Sequence, residues 1–423
     1  MLRAGFVAAD DDAAALRMIE GAPSLRVEAI AREGEGRDDA DDGDDGDDGD
    51  AAAVAALRQA IFRPFDLERP PLLRAGIAPR GPDRAVIALA AHHLVFDNHS
   101  LARLLDELRG LLSGEAVDAP AGSFLDEVER AAEATAPEAL AAWWRRHLDG
   151  ARWPLPVAHD VEVPVPEVVS PEPLELDRDE ARGLRRVAEA AGASVEAAIG
   201  LAFALSLAAT LDLDEAVTAW ALSTRTPGQR GIVGPMIDNA MLRVRASAEG
   251  TLVDALQALD RQMTEVRGHA GLPFRRLTEP LLGVQDPREA PPCPVLFTFH
   301  DADSMDIPPA IRGLLRGDRT PCGARSLRRL PADRRSARRP YDYFAYAEAR
   351  DGRIALALRV QRRRVGLELG ARIAGRWGLI LRTLARRPDA RLRELMAPRA
   401  PQEVDRTPPR GTDAHEGSRC PRP

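Results

Sequence analysis

Apolar and polar positions alternate from Leu25 to Ile30, the pattern of a half-buried strand, and a helical stretch runs from Ala51 to Ile61. Two apolar runs, Leu72 to Ile77 and Ala85 to Ala91, predict strands separated by the turn residues Pro79-Arg80-Gly81-Pro82-Asp83. After Ser100 the apolar positions Leu101, Leu104, Leu105, Leu108, Leu111 and Leu112 repeat at helical spacing. A further helix from Glu138 to Leu148 carries Trp143 and Trp144. Prolines then crowd the chain between Trp153 and Pro173, which marks a boundary between two units. In the second unit, helices are expected over Asp179 to Ala190, from Val195 onward, and over Ala371 to Leu384. Its strands are expected at Val217 to Leu222, Met241 to Val244, Val295 to Phe299 and Ile354 to Val360. This mixture of strands and helices predicts an α/β fold.

Composition refines the picture. The 423 residues, 45% of them hydrophobic, suffice for two domains with real cores. The net charge of −8 is concentrated in the Asp/Gly run from Asp38 to Asp50, which is expected to be a disordered, solvated loop. With that run set aside the chain is nearly neutral, so neither nucleic acid nor an anionic membrane is an expected partner. Met1 to Phe6 lacks the apolar core of a signal peptide, and the apolar run Ala197 to Leu211 is too short to span a bilayer and reads as a buried core helix. Cys293, Cys322 and Cys420 show no paired spacing, which argues against a disulfide framework or a zinc site and fits a cytoplasmic protein. The tail beyond Pro398 is rich in Pro, Arg and Gly and is expected to be disordered. The arginines between Arg312 and Arg339 form either a solvated crossover loop or a basic surface for an acidic partner.

The strand ending at Ala91 runs directly into His92-His93-Leu94-Val95-Phe96-Asp97-Asn98-His99-Ser100. A strand-to-helix turn is a usual place for exposed catalytic side chains. Adjacent residues at a strand end point in opposite directions, so only one imidazole can face a given cleft. An imidazole titrates near neutrality and can take a proton from an attacking amine or hydroxyl. Asp97 could orient that ring or lock the turn by pairing with an arginine, because a buried carboxylate without a partner is costly. Asn98 or Ser100 could cap the following helix. Two histidines beside an aspartate can also be structural, but the full HHxxxDxxS spacing between a strand and an amphipathic helix favours chemistry. A G-x-S-x-G elbow is absent, which favours direct transfer over a seryl intermediate.

This segment resembles the HHxxxDGxS signature of nonribosomal peptide synthetase condensation domains, members of the chloramphenicol-acetyltransferase-like superfamily. Pro64-Phe65-Asp66-Leu67 with Pro71-Leu72-Leu73-Arg74, Trp144 to Leu148, Val233 to Arg243, and Leu272 to Leu277 resemble further family segments in the family's order. The resemblance implies two chloramphenicol-acetyltransferase-like α/β sandwich lobes, 1–155 and 174–397, joined by a linker at 156–173 and arranged as a V-shaped pseudo-dimer, with a tail at 398–423. It also implies His93 as the base or positioning group, His92 and Asp97 as supports of the catalytic site, and Asn98 and Ser100 as structural parts of the turn. Asp238 and Asn239 would contact substrate, Asp238 standing where the family usually has asparagine. Met1 to Phe6 resembles the end of the family's RHExLRTxF segment, so the first strand and helix are expected to be missing and Arg3 to pair with Asp97. The activity implied is amide or ester formation between a carrier-protein thioester and an amine or hydroxyl acceptor. Substrates would ride on phosphopantetheine, without a bound cofactor or metal, and the chain would be a monomer. A coenzyme-A-dependent or free-acceptor acyltransferase of the same superfamily, and a non-catalytic carrier-docking module, are the alternatives.

Overall fold

A computed structural model describes residues 4–8, 16–20, 25, 27–29, 46–117, 122–134, 137–151, 168–169, 174–229, 231–246, 249–272, 274, 294–303, 307–330, 341–361 and 366–396. β1 (Ala4–Ala8) and β2 (Leu16–Glu20) form an antiparallel pair. β3 (Val27–Ala29) runs parallel to β4 (Leu73–Pro79), which pairs antiparallel with β5 (Ala85–Ala91) in a small sheet. α1 (Gly46–Ile61) lies on one face of that sheet, where Leu57 and Ala53 meet Ala78 and Val86. Gly76 permits this approach, since a Cβ there would stand 2.8 Å from the Leu57 side chain. From β5 the chain turns into α2 (Asn98–Leu112), then α3 (Phe124–Ala134) and α4 (Pro137–His147).

A larger sheet of seven strands follows, in the order β6-β14-β13-β10-β8-β9, with β7 also paired to β14. Its members are β6 (Val168–Val169), β7 (Leu174–Leu176), β8 (Glu215–Ser223), β9 (Ile237–Arg245), β10 (Val295–Asp301), β13 (Tyr343–Arg350) and β14 (Arg353–Gln361). β10 runs parallel to both of its neighbours, and the other pairings are antiparallel. A short hairpin of β11 (Thr320–Cys322) and β12 (Arg325–Leu327) stands apart. α5 (Arg178–Ala190), α6 (Val195–Leu211), α7 (Leu252–Arg267) and α9 (Leu367–Arg386) contribute to the main core on one face of the large sheet; α8 (Pro309–Arg316) and α10 (Leu392–Met396) complete the set. Every residue of α6 from Ala197 to Ala208 is buried, as expected for an alanine-rich helix between a sheet and α9. Residues alternate across a strand. Val295 and Phe297 therefore join this core, while Leu296, Ala219 and Phe344 form a second apolar patch on the opposite face. Trp144 and Leu148, at the end of α4, pack into the main core.

Of the acidic run Asp38–Asp50, residues 46–50 lie within the described residues, and these depart from the expected loop. They are helical from Gly46, and Asp50 is buried among Arg84 at 3.0 Å, Arg80 at 3.8 Å and Arg328 at 3.9 Å. Self-repulsion along the sequence is thus answered by arginines from distant segments. Several of the arginines between 312 and 339 are likewise engaged in structure. Arg328 reaches Asp50, Arg329 donates to the Leu315 carbonyl, and Arg316 pairs with Asp351. Arg334, Arg335, Arg338 and Arg339, Arg3, residues 38–45, most of the proline-rich stretch and the tail lie outside the described residues. No single helix among the described residues is long and apolar enough to cross a membrane.

Candidate active site

The turn from β5 to α2 is held from both ends. At its start the His92 backbone N–H donates to the Leu72 carbonyl at 2.9 Å, which extends the β4–β5 ladder by one bond. At its end Asp97, not Asn98 or Ser100, is the N-cap of α2. Its Oδ1 accepts the Ser100 backbone N–H and the Ser100 hydroxyl, each at 2.7 Å. Its Oδ2 accepts Arg225 at 2.9 Å and the Met236 backbone N–H at 3.1 Å. Four donors therefore saturate a carboxylate that is 1% exposed, paired with a guanidinium that is 2% exposed. Burial pushes the Asp97 pKa up, but the Ser100 hydrogen bonds and Arg225 outweigh it and hold the group below the ordinary carboxylate range.

Arg225 was not foreseen from the sequence. It lies just after β8 and also donates to the carbonyls of Gln229, Ile232 and Gly234 at 2.6, 2.8 and 2.9 Å. A single side chain thus gathers the loop between β8 and β9 and fastens it to the turn from β5 to α2. Ser100 makes a second link: the Gly234 N–H donates to its hydroxyl oxygen at 3.0 Å. The only sequence signal for Arg225 was general, namely that a buried Asp97 needs a cation. Arg3, the expected partner, lies outside the described residues, and the guanidinium found on Asp97 is Arg225.

The two histidines adopt opposite tautomers. His93 Nδ1 lies 2.7 Å from the Phe96 carbonyl, an acceptor only, so Nδ1 carries a proton, and in the neutral ring the lone pair lies on Nε2. His92 Nδ1 accepts the Leu94 backbone N–H at 3.2 Å, so its proton sits on Nε2. Burial first, and the neighbouring His93 second, lower the His92 pKa and favour the neutral ring. His92 is half-buried and meets the edge of Phe65, 5.9 Å between centroids. Phe65 is in turn covered by the Arg74 guanidinium at 4.0 Å, and Arg74 donates to the carbonyls of Ile61, Arg63 and Pro64. The Pro64 to Arg74 segment therefore braces His92. His93 is exposed.

Asn98 is exposed and extends its amide to His300 of β10, with 3.4 Å between nitrogens. Of the two second-unit histidines, His300 thus reaches the start of α2. His269 instead stacks on Trp143 at 3.9 Å and serves packing. Asp238 and Asn239 open β9 directly after the segment that grips Asp97. The Asp238 carboxylate accepts the backbone N–H groups of Asn239 and Gly271 at 2.7 and 3.1 Å, while burial raises its pKa. It is Gly234 and Met236, through their backbones, that contact Ser100 and Asp97. A cavity of about 210 Å³ on another face of α2 is lined by His99, Arg103, Asp106, Gly231 and Ile307. Sites for drug-sized ligands start near about 300 Å³, so this is a side recess. No group of metal-ligating side chains occurs among the described residues.

The family model described as Condensation domain matches residues 37–313. AMB antimetabolite synthetase AmbE of Pseudomonas aeruginosa is 31% identical over 258 residues, 58% of this chain and 12% of that protein. The chain thus spans only a small part of such curated relatives. Among solved structures, holo-AB3403, a four-domain nonribosomal peptide synthetase bound to AMP and glycine, superposes with a TM-score of 0.73 at 18% identity, over 94% of this chain and 30% of that one. The X-domain from teicoplanin biosynthesis superposes with a TM-score of 0.71 at 19% identity, over 92% and 85% of the two chains.

Proposed function

The chain belongs to the condensation-domain family of nonribosomal peptide synthetases, and from that premise we propose that it joins a carrier-bound thioester to an amine at His93. One observation carries the reading: an exposed imidazole whose Nδ1–H is committed to the Phe96 carbonyl, which in the neutral ring leaves the Nε2 lone pair to serve as a base. The amine nitrogen attacks the thioester carbonyl carbon and a C–N bond forms. Its proton passes to His93 Nε2, the C–S bond breaks, and the departing sulfur takes that proton to leave as a thiol. Amide and thiol are the products, His93 returns to its starting tautomer, and no oxidant or metal enters the balance.

In this reading Asp97 is a positioning residue. Two of its four hydrogen bonds hold the turn and two hold the loop between β8 and β9, and none goes to His93. His92 supports the turn as a neutral ring. The small and large sheets belong to two lobes, 1–155 and 174–397, that open as a V around the turn, and the carrier's phosphopantetheine arm delivers the donor to it. Condensation domains work with carrier proteins within synthetase modules, and a carrier protein is the partner proposed here.

A recruitment role is the second reading, favoured by the fold shared with the X-domain. His93→Ala separates the two. A general base contributes about 10²–10⁴-fold, so product formation from an acyl-carrier thioester and an amine should fall at least about 100-fold while carrier binding, read by biolayer interferometry, stays the same. Unchanged product output would leave recruitment as the function.

A further inference from the structure

Asn98 stands where the condensation-domain signature carries glycine, and the backbone does not explain that glycine. Position 98 is the first residue of α2, and Asp212 and Asp351 are the non-glycine residues with positive φ among those described. A helical φ suits any L-residue, and glycine only weakens a helix. What distinguishes glycine at such a position is therefore the absence of a side chain, and with it the space that a side chain would fill.

Asn98 occupies that space and ties it to the large sheet. Its amide nitrogen lies 3.4 Å from His300 Nδ1. The His300 ring rests 5.3 Å from the Tyr346 ring, the Tyr346 hydroxyl donates to Glu348 at 3.0 Å, and Arg350 holds the other oxygen of that carboxylate at 2.5 Å. The far end of the contact is thus built into three strand residues on β13. Its near end is close to the base. His93 is bonded to the Phe96 carbonyl, and Phe96 and Asn98 are two residues apart, on the order of 7 Å along the backbone.

We propose that Asn98 is a specificity-determining residue: with His300 it forms a bar across the cleft beside His93, which passes a slender amine and turns away one branched at the carbon next to nitrogen. The proposal rests on acyl transfer at His93, and it adds the shape of the acceptor. A carbon branch must pass where the amide and imidazole already touch, whereas an unbranched methylene needs no such width.

The test uses octanoyl-pantetheine as donor and the glycyl and valyl thioesters of N-acetylcysteamine as acceptors. The wild-type protein should prefer glycyl, and Asn98→Gly should lower the glycyl-to-valyl ratio at least tenfold. His300→Ala, which removes the far anchor, should shift the ratio in the same direction by less. A ratio within twofold of wild type in Asn98→Gly overturns the proposal. A second measurement is independent of turnover. In H93C, the thiol at position 93 is alkylated by iodoacetamide and by the bulkier N-tert-butyl iodoacetamide, with peptide mass spectrometry locating the adduct. Adding N98G should accelerate the bulky reagent at least fivefold more than the small one, and equal acceleration overturns the bar. A wild-type protein without His93-dependent transfer refutes the acyl-transfer reading, and the alkylation ratio still decides the bar.

Discussion

Replacing Arg225 by methionine leaves the Asp97 carboxylate buried, with Ser100 and Met236 as donors but without its counter-charge. Both side chains are almost wholly withheld from solvent, so water screens little of the interaction. Removing one member of a buried pair typically costs about 3–5 kcal/mol, a large part of the roughly 5–15 kcal/mol that holds a domain folded. The guanidinium also binds three loop carbonyls, which places the expected loss toward the upper end. Urea unfolding of wild type, Arg225→Met, Asp97→Asn and the double variant measures the coupling. The double variant should be more stable than the sum of the single losses predicts by at least about 1 kcal/mol, since it strands no charge. Additivity within about 0.5 kcal/mol would refute the reasoning, because groups in contact do not add. The pH dependence has a definite sign. The Asp97 pKa is depressed in the fold, so its contribution is fully present above the unfolded value of about 3.9 and is lost as pH falls through the lower folded value. The gap between wild type and Arg225→Met should therefore be widest near neutrality and narrow below about pH 4.

Two further outcomes are expected. Gly234→Ala would place a Cβ 2.4 Å from the Phe124 ring, and it should destabilise by about 1–3 kcal/mol as overpacking does, read as a lower urea midpoint; an unchanged midpoint means that this approach is looser than described. Asp50→Ala leaves Arg80, Arg84 and Arg328 facing one another across a vacated carboxylate, so stability should fall by about 1–2 kcal/mol and be partly restored by salt, which screens the repulsion. No restoration between low and high ionic strength would count against mutual repulsion of these arginines.

Local pattern was legible where local forces decide. β5 spans Ala85–Ala91 as its apolar run suggested, and the helices at 178, 195 and 367 begin within a few residues of expectation. β13 was not anticipated, because Tyr-Phe-Ala-Tyr-Ala-Glu-Ala-Arg mixes helix-favouring alanine and glutamate with aromatics; its place between β10 and β14 overrides that propensity. α7 was passed over although Leu252, Leu256, Leu259 and Met263 repeat at helical spacing and are buried. At the site, the His-His-Asp segment was readable because its turn is contiguous. The cation on Asp97 was not, since Arg225 lies 128 residues away and nothing in its own neighbourhood announces a buried role. Asp50 failed for the same reason, its counter-ions being remote in sequence.

The carboxylate of Asp97 takes two bonds from its own helix and two from the loop between β8 and β9 of the large sheet. A joint bound so tightly on both sides behaves as the fulcrum of a pair of scissors. If the two sheets swing relative to each other, displacement grows with distance from Asp97 and is small at His93, four residues away. Under the acyl-transfer reading proposed above, such a hinge would leave the proposed base, His93, in place while the outer segments move.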